Sequence, residues 1–285
     1  MKKALLLTLF AILNSALAVF GQESQSVLWE ISGKGLAKPS YLFGTYHVAS
    51  ISVLDSFPQV MRIATSCDFA LFENGGSHIG EAPPPVQTAQ PPLDSIFTPA
   101  EYAIVDSFFT ASPYGSIRPH THDADLFSML QVALTIQLSQ QNKQDEPFDA
   151  LLMNRLNALN KTIFQLDNPN EVDNVVNGMG YRNIAKMLVD IINDKTALQK
   201  QAPEEAKDLA LYSKTLRRPL RLNEDVHVNL GKVTIDRNVH WIPKIEEKMS
   251  EGNCFIAVGF KHLQYKTVLI QLLRNKGYTL NPVNL

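Results

Sequence analysis

The chain has 285 residues, 45% of them hydrophobic and 19% charged, with 26 Lys and Arg against 28 Asp and Glu and two cysteines. That length buries a core without staples, which excludes a disulfide-held miniprotein, and the ordinary apolar fraction excludes a disordered chain. A formal net charge of −2 lacks the basic excess of a dedicated nucleic-acid binder, so no nucleic-acid partner is expected.

In chain order, residues 1–21 read as a secretory signal peptide. Lys2 and Lys3 make a positive start, Ala4 to Leu13 an apolar run, and Ser15, Ala16 and Ala18 the small residues of a cleavage region. Cleavage after Ala18 and cleavage after Gly21 both fit. An uncleaved anchor is the competing reading, but the run is short for a span of about 20 residues, and Asn14 and Ser15 interrupt it. Removing the segment leaves 24 basic against 28 acidic residues, a formal charge of −4. Nothing after it resembles a membrane span, so residues 22–285 are expected as one exported domain, periplasmic or extracellular.

Ser26 to Ser32 and Tyr41 to Val48 read as strands joined by a turn over Gly33 to Pro39. Pro58 to Ser66 reads as a helix and Asp68 to Glu73 as a strand, which is βαβ spacing. Asn74 to Pro92, rich in Gly and Pro, reads as a flexible loop. A mostly helical insert follows over residues 99–235, with helices predicted at Pro99–Thr110, Ala124–Ser139, Phe148–Leu159, Val172–Gly178, Asn183–Asn193 and Pro203–Leu216. One strand, Thr162 to Leu166, interrupts it. A helix over Asp236–Met249, a buried strand over Cys254–Gly259, a helix over Val268–Asn275 and a strand over Tyr278–Val283 close the chain. The fold class predicted is α/β: a mixed, largely parallel sheet built from the two chain ends, with a central helical insert. Cys67 and Cys254 each lie beside a strand-like run, which fits a bridge between neighbouring strands and equally two buried free thiols.

The two ends share a pattern. Tyr41-Leu42-Phe43-Gly44-Thr45-Tyr46-His47 and Ile256-Ala257-Val258-Gly259-Phe260-Lys261-His262 are each an apolar run, then Gly, two residues and His. Glycine permits close backbone approach where a strand ends, and the histidine then points into the crevice beyond the carboxyl ends of the strands, where open α/β sheets bind ligands. A third strand ends on Glu73. Two imidazoles and a carboxylate converging there are a donor set for a first-row divalent metal.

These motifs, with Leu28-Trp29-Glu30-Ile31, Pro39-Ser40, Asp236-Arg237-Asn238, Trp241 and Gly277-Tyr278, resemble the TraB/GumN family, within the superfamily that includes the TIKI metalloproteases. The resemblance implies two related halves, each opening on a Gly-x-x-His strand. From the proteolytic relatives it implies a divalent-metal-dependent hydrolase acting on a peptide bond, with a peptide or protein substrate. Carried over by motif, His47, His262 and Glu73 are the metal ligands, and Glu73 and Arg237 the catalytic residues; the identity of the metal is left open. The chain departs from the family at Gln165-Leu166-Asp167-Asn168, where a Glu is shortened to Asp, and at Phe260-Lys261, where small residues are usual. The alternative is a non-catalytic exported ligand-binding protein of the same fold, with haem as one ligand class, since the haem-binding ChaN proteins share the broader superfamily.

Neighbouring residues have their own readings. Arg237 either anchors a substrate carboxylate or ties a carboxylate of the protein in place, and the second is favoured. Trp241 reads as core, and Asp236 as a helix N-cap. His120-Thr121-His122-Asp123 reads as an N-cap aspartate with two exposed histidines rather than a metal tract. Asp149 is either a first-turn helix acid or a residue reaching the crevice. His78, His227 and His240 have no motif support.

Overall fold

The computed structural model describes residues 26–47, 49–73, 90–142, 147–167, 180–194, 203–220, 222, 229–264 and 268–285. The segment expected as a signal peptide, most of the expected Asn74–Pro92 loop, the helix expected over Val172–Gly178, His78 and His227 lie outside the described residues. Among those described, no helix is long and apolar enough to cross a membrane.

Strands β1 (Leu28–Ser32) and β2 (Ser40–Thr45) form an antiparallel hairpin that sets Leu28 opposite Phe43. Its connection turns through Gly33, Lys34 and Gly35, all at positive φ, where glycine carries no Cβ penalty. Strand β3 is Phe69–Phe72, β4 is Thr162–Gln165, β5 is Cys254–Gly259 and β6 is Thr279–Pro282. The sheet order is β4-β3-β5-β2-β1-β6. Its four strands from β4 to β2 are mutually parallel, and β6 closes the other edge antiparallel to β1. The edge position of β6 accommodates Pro282, which has no N–H to give to a ladder. Every residue of β5 is buried, as a central parallel strand covered on both faces requires. The sheet therefore unites the two chain ends, as the sequence predicts.

The helices are α1 (Val53–Ser56), α2 (Pro58–Ser66), α3 (Leu93–Ile96), α4 (Pro99–Thr110), α5 (Leu126–Asn142), α6 (Phe148–Asn157), α7 (Tyr181–Asn193), α8 (Pro203–Thr215), α9 (Asn229–Glu251) and α10 (Leu269–Asn275). Short 3-10 turns cover Arg118–His120 and Phe260–Leu263. Among the described residues these elements build two hydrophobic cores. The larger surrounds the sheet and takes in Phe148, Tyr212 and Trp241 from the helices. The second is built mainly by α3, α4, α5 and α7 around Val105, Leu130 and Leu188.

Three expectations are corrected. Helix α9 starts at Asn229, well before Asp236, so Asp236 is an interior helical residue and not its N-cap. The acid that caps α5 is Asp125, whose carboxylate accepts from the backbone N–H of Phe127 and Ser128, while Asp123 faces His120 at 3.3 Å. Strand β2 ends at Thr45, so His47 stands beyond the strand end. Cys67 and Cys254 are two separate buried thiols, and burial pushes both up to about 12.

Candidate functional site at the carboxyl ends of the parallel strands

Parallel strands deliver their carboxyl ends to one edge of the sheet. There β2 leads to His47, β3 to Glu73, β4 to Asp167 and β5 to Gly259 and then His262. Helix α9 runs beside this edge and supplies Arg237, Asn238 and Trp241. All four residues proposed from sequence for the site, His47, Glu73, Arg237 and His262, thus stand together.

The glycine of the second motif explains how so many side chains fit. A Cβ on Gly259 would lie 2.9 Å from Glu73 Oε1 and 3.0 Å from His47 Nε2. Any larger residue would occupy the place where the carboxylate and the imidazole approach the strand end. The Gly259 N–H also donates to Glu73 Oε1, fixing that carboxylate from below. A Cβ on Gly44, the first motif's glycine, would meet Leu263 Cδ2 at 3.1 Å and Phe260 Cδ2 at 3.2 Å, so this glycine admits the turn that carries His262.

Each histidine is oriented through its Nδ1. His47 Nδ1 bonds the Asp149 carboxylate, which Thr45 Oγ1 also engages. Asp149 arrives because the start of α6 docks on the end of β2, the Phe148 N–H donating to the His47 carbonyl at 3.0 Å. The first-turn acid left open by the sequence therefore does reach the crevice. His262 Nδ1 lies 2.6 Å from Asn238 Oδ1. Its Nε2 lies 3.3 Å from Arg237 Nη1, a group that can only donate, so Nε2 is the acceptor and Nδ1 carries the proton. The outer hydrogen bonds thus aim both Nε2 atoms inward, an arrangement found in metal-ligating histidines.

Arg237 ties together two carboxylates. Its Nη2 donates to Glu73 Oε2 at 2.6 Å and to Asp167 Oδ2 at 2.6 Å, and its Nε donates to Asp167 Oδ1 at 3.0 Å. Trp241 Nε1 donates to the same Asp167 oxygen at 2.8 Å, while the indole stacks on the His262 ring at 4.3 Å between centroids. Trp241 is fully buried, as its core reading requires, and it also orients Asp167 and His262. Both Asp167 oxygens are engaged, so this shortened acid anchors Arg237. Lys261, the residue that breaks the second motif, is exposed.

The electrostatics separate the two histidines. Asp149 raises the His47 imidazole to about 9 against the opposing effect of burial. Some 56% of its side chain remains open to solvent, which places it on the wall of a crevice and moderates the attraction. Burial pushes His262 down to about 4, so it is neutral. For Glu73, burial works to raise the carboxyl, but His262, Arg237 and His47 outweigh it and hold the group below the ordinary carboxylate range.

The donor types and their outer hydrogen bonds suit a divalent cation held by His47, Glu73 and His262. Among the described residues, however, no three His, Cys, Asp or Glu side chains stand close enough to coordinate one as they are. His262 Nε2 and Glu73 Oε1 stand 3.6 Å apart, and closing around an ion requires Arg237 Nη1 to give way at His262. Asn238 is the participant that sequence reasoning passed over, although it stands within Asp236-Arg237-Asn238.

Comparison with curated proteins and with solved structures returns no match. The family model described as TraB/PrgY/gumN matches residues 27–282, a span from the start of β1 to the end of β6 that contains every residue of this site, and the chain belongs to that family.

Proposed function

We propose that the chain is an exported divalent-metal-dependent hydrolase acting on peptide bonds, with the cation held by His47, Glu73 and His262. The observation that carries this reading is the pair of imidazoles fixed through Nδ1, by Asp149 and by Asn238, with Glu73 beside the Nε2 atoms. A bound cation would supply a water of lowered pKa and polarisation of the scissile carbonyl. Asp149 and Asn238 keep the imidazoles in one orientation and protonated at Nδ1. Arg237 and the Gly259 N–H hold Glu73 ionised, and the fourth strand's Asp167 holds Arg237. In this reading Arg237 is a positioning residue. The open face of His47 is where a peptide would enter.

The test is elemental analysis of protein purified without chelators, alongside a peptide-library digest. The wild type is expected to carry stoichiometric metal and His47→Ala to lose both metal and cleavage. Equal metal content in the two proteins would remove the site.

One observation favours a second reading, a non-catalytic ligand-binding protein of the same fold. Glu73 is engaged by two donors, Arg237 Nη2 and the Gly259 N–H, which lowers its capacity to act as a base. A haem titration that develops a visible absorbance band, with no metal-dependent cleavage in the library, selects this reading.

A further inference from the structure

Arg218 follows α8 and belongs to neither Gly-x-x-His motif, yet it touches both. Its guanidinium carbon lies 4.6 Å from the ring centre of Tyr46, the residue before His47, and 4.4 Å from that of Phe260, the residue after Gly259. The side chain is only 3% exposed. Its Nε donates to Asp208 Oδ2 at 3.0 Å, and its Nη1 has no hydrogen-bond partner among the described residues. A buried guanidinium held on one side by a single carboxylate is therefore held elsewhere by aromatic faces, whose negative quadrupole attracts a desolvated cation. Nearby, Tyr212 from α8 donates through its hydroxyl to the Gly44 carbonyl at 3.0 Å and stacks on Tyr46 at 5.8 Å. Helix α8 and the residues just after it thus meet both motif turns from outside the sheet.

We infer that Arg218 is a positioning residue that clamps the two Gly-x-x-His turns to each other, through Tyr46 on one and Phe260 on the other, and so fixes the separation of His47 and His262. The departure of the second motif from small residues follows from this role. Phe260 supplies the second ring of the clamp, and Lys261 beside it is turned to solvent. The functional consequence, a set distance between two metal-ligating imidazoles, rests on the proposed metal site; the clamp itself does not.

The test uses the full chain with 15N-labelled histidine. Imidazole signals are assigned by single substitution and compared in wild type, Arg218→Met and Arg218→Lys. Met fills the volume without charge or plane, and Lys keeps the charge without the planar fork. Arg218→Met is expected to move the His47 and His262 signals together while His120 and His122, in the helical insert, stay in place. Arg218→Lys is expected to restore them only in part. Zinc competition with a chromophoric chelator should then show an affinity about 10- to 100-fold weaker for the Met variant, the usual loss when the support of ligating residues is removed. If Arg218→Met does not fold, Asp208→Asn, which loosens the guanidinium from α8, is expected to move the same two signals. Unmoved signals in a folded variant overturn the clamp, as does movement of one histidine without the other. Wild-type protein that binds none of zinc, manganese and cobalt overturns the proposed function and leaves the imidazole comparison to decide the clamp by itself.

Discussion

At the scale of single residues, the geometry of the site turns on Gly259. A methyl group there would stand 2.9 Å from Glu73 Oε1 and 3.0 Å from His47 Nε2, closer than carbon normally comes to either atom. Both are side-chain tips, so the backbone can persist while the tips are displaced. Gly259→Ala is therefore expected to fold, with far-ultraviolet dichroism like the wild type, and to lose at least ~10-fold in zinc affinity through misplaced ligands. Gly44→Ala is the informative contrast, because its methyl would meet the flexible end of Leu263 and the ring edge of Phe260 rather than a ligand. It should cost stability before it costs affinity, and the reverse order would contradict the assignment of roles to the two glycines. The sequence carried much of this information, since the repeated Gly-x-x-His and the strand-terminal Glu73 were legible as patterns. It did not carry Asn238, because an asparagine one residue past an arginine on a helix has no spacing that distinguishes it. Nor could it settle Asp149, whose bond to His47 depends on where α6 docks.

At the scale of elements, helix limits were legible where the signals are local and illegible where they are not. Pro58 and Pro99 begin α2 and α4 as their positions suggest, the missing N–H costing little in the first turn. Helix α9 runs further towards the N-terminus than its apolar spacing suggests and carries Pro243 in its interior. It packs Trp241, Ile242, Ile245 and Met249 into the sheet core, and this packing sustains a helix that propensity alone would break. The capping of α4 supports a quantitative expectation. Thr98 and Glu101 form a reciprocal capping box, and Arg182 of α7 reaches the same carboxylate with two bonds of 2.7 Å. Bonds from Arg182, then from the Thr98 N–H, lower the Glu101 carboxyl to about 2 against an ordinary value of 4.5. Because the folded value is depressed, the stabilisation is complete above pH 4.5 and is lost as pH falls towards about 2. Urea denaturation of wild type and Glu101→Gln should therefore differ most at neutral pH and converge in acid. Arg182 is 56% exposed, so added salt should narrow the neutral-pH difference as well. A gap that stays constant from pH 7 to pH 3 would show that the carboxylate charge contributes nothing.

At the scale of the whole molecule, the sequence implied that the two ends share a sheet, and the observed order adds what adjacency in sequence conceals. Strands β2 and β3 have βαβ spacing, yet β5, from the far end of the chain, inserts between them and pairs with both. Only long-range packing decides that insertion, since β5 is apolar throughout and gains most by taking a position buried on both faces. The insertion is also what brings Gly259 and His262 between His47 and Glu73. Helices α3, α4, α5 and α7 contribute differently: their core around Val105, Leu130 and Leu188 shares no residue with the core around the sheet. Two cores without a common residue are expected to open as separate units. Leu188 is fully buried, so Leu188→Ala should cost about 2–5 kcal/mol within its own cluster. Amide exchange followed by mass spectrometry should then accelerate across α4, α5 and α7 while peptides from β2 and β5 exchange as slowly as in the wild type. Equal acceleration in the strands would mean that these four helices and the sheet unfold as one unit, and that loosening the helices would also loosen His47 and His262.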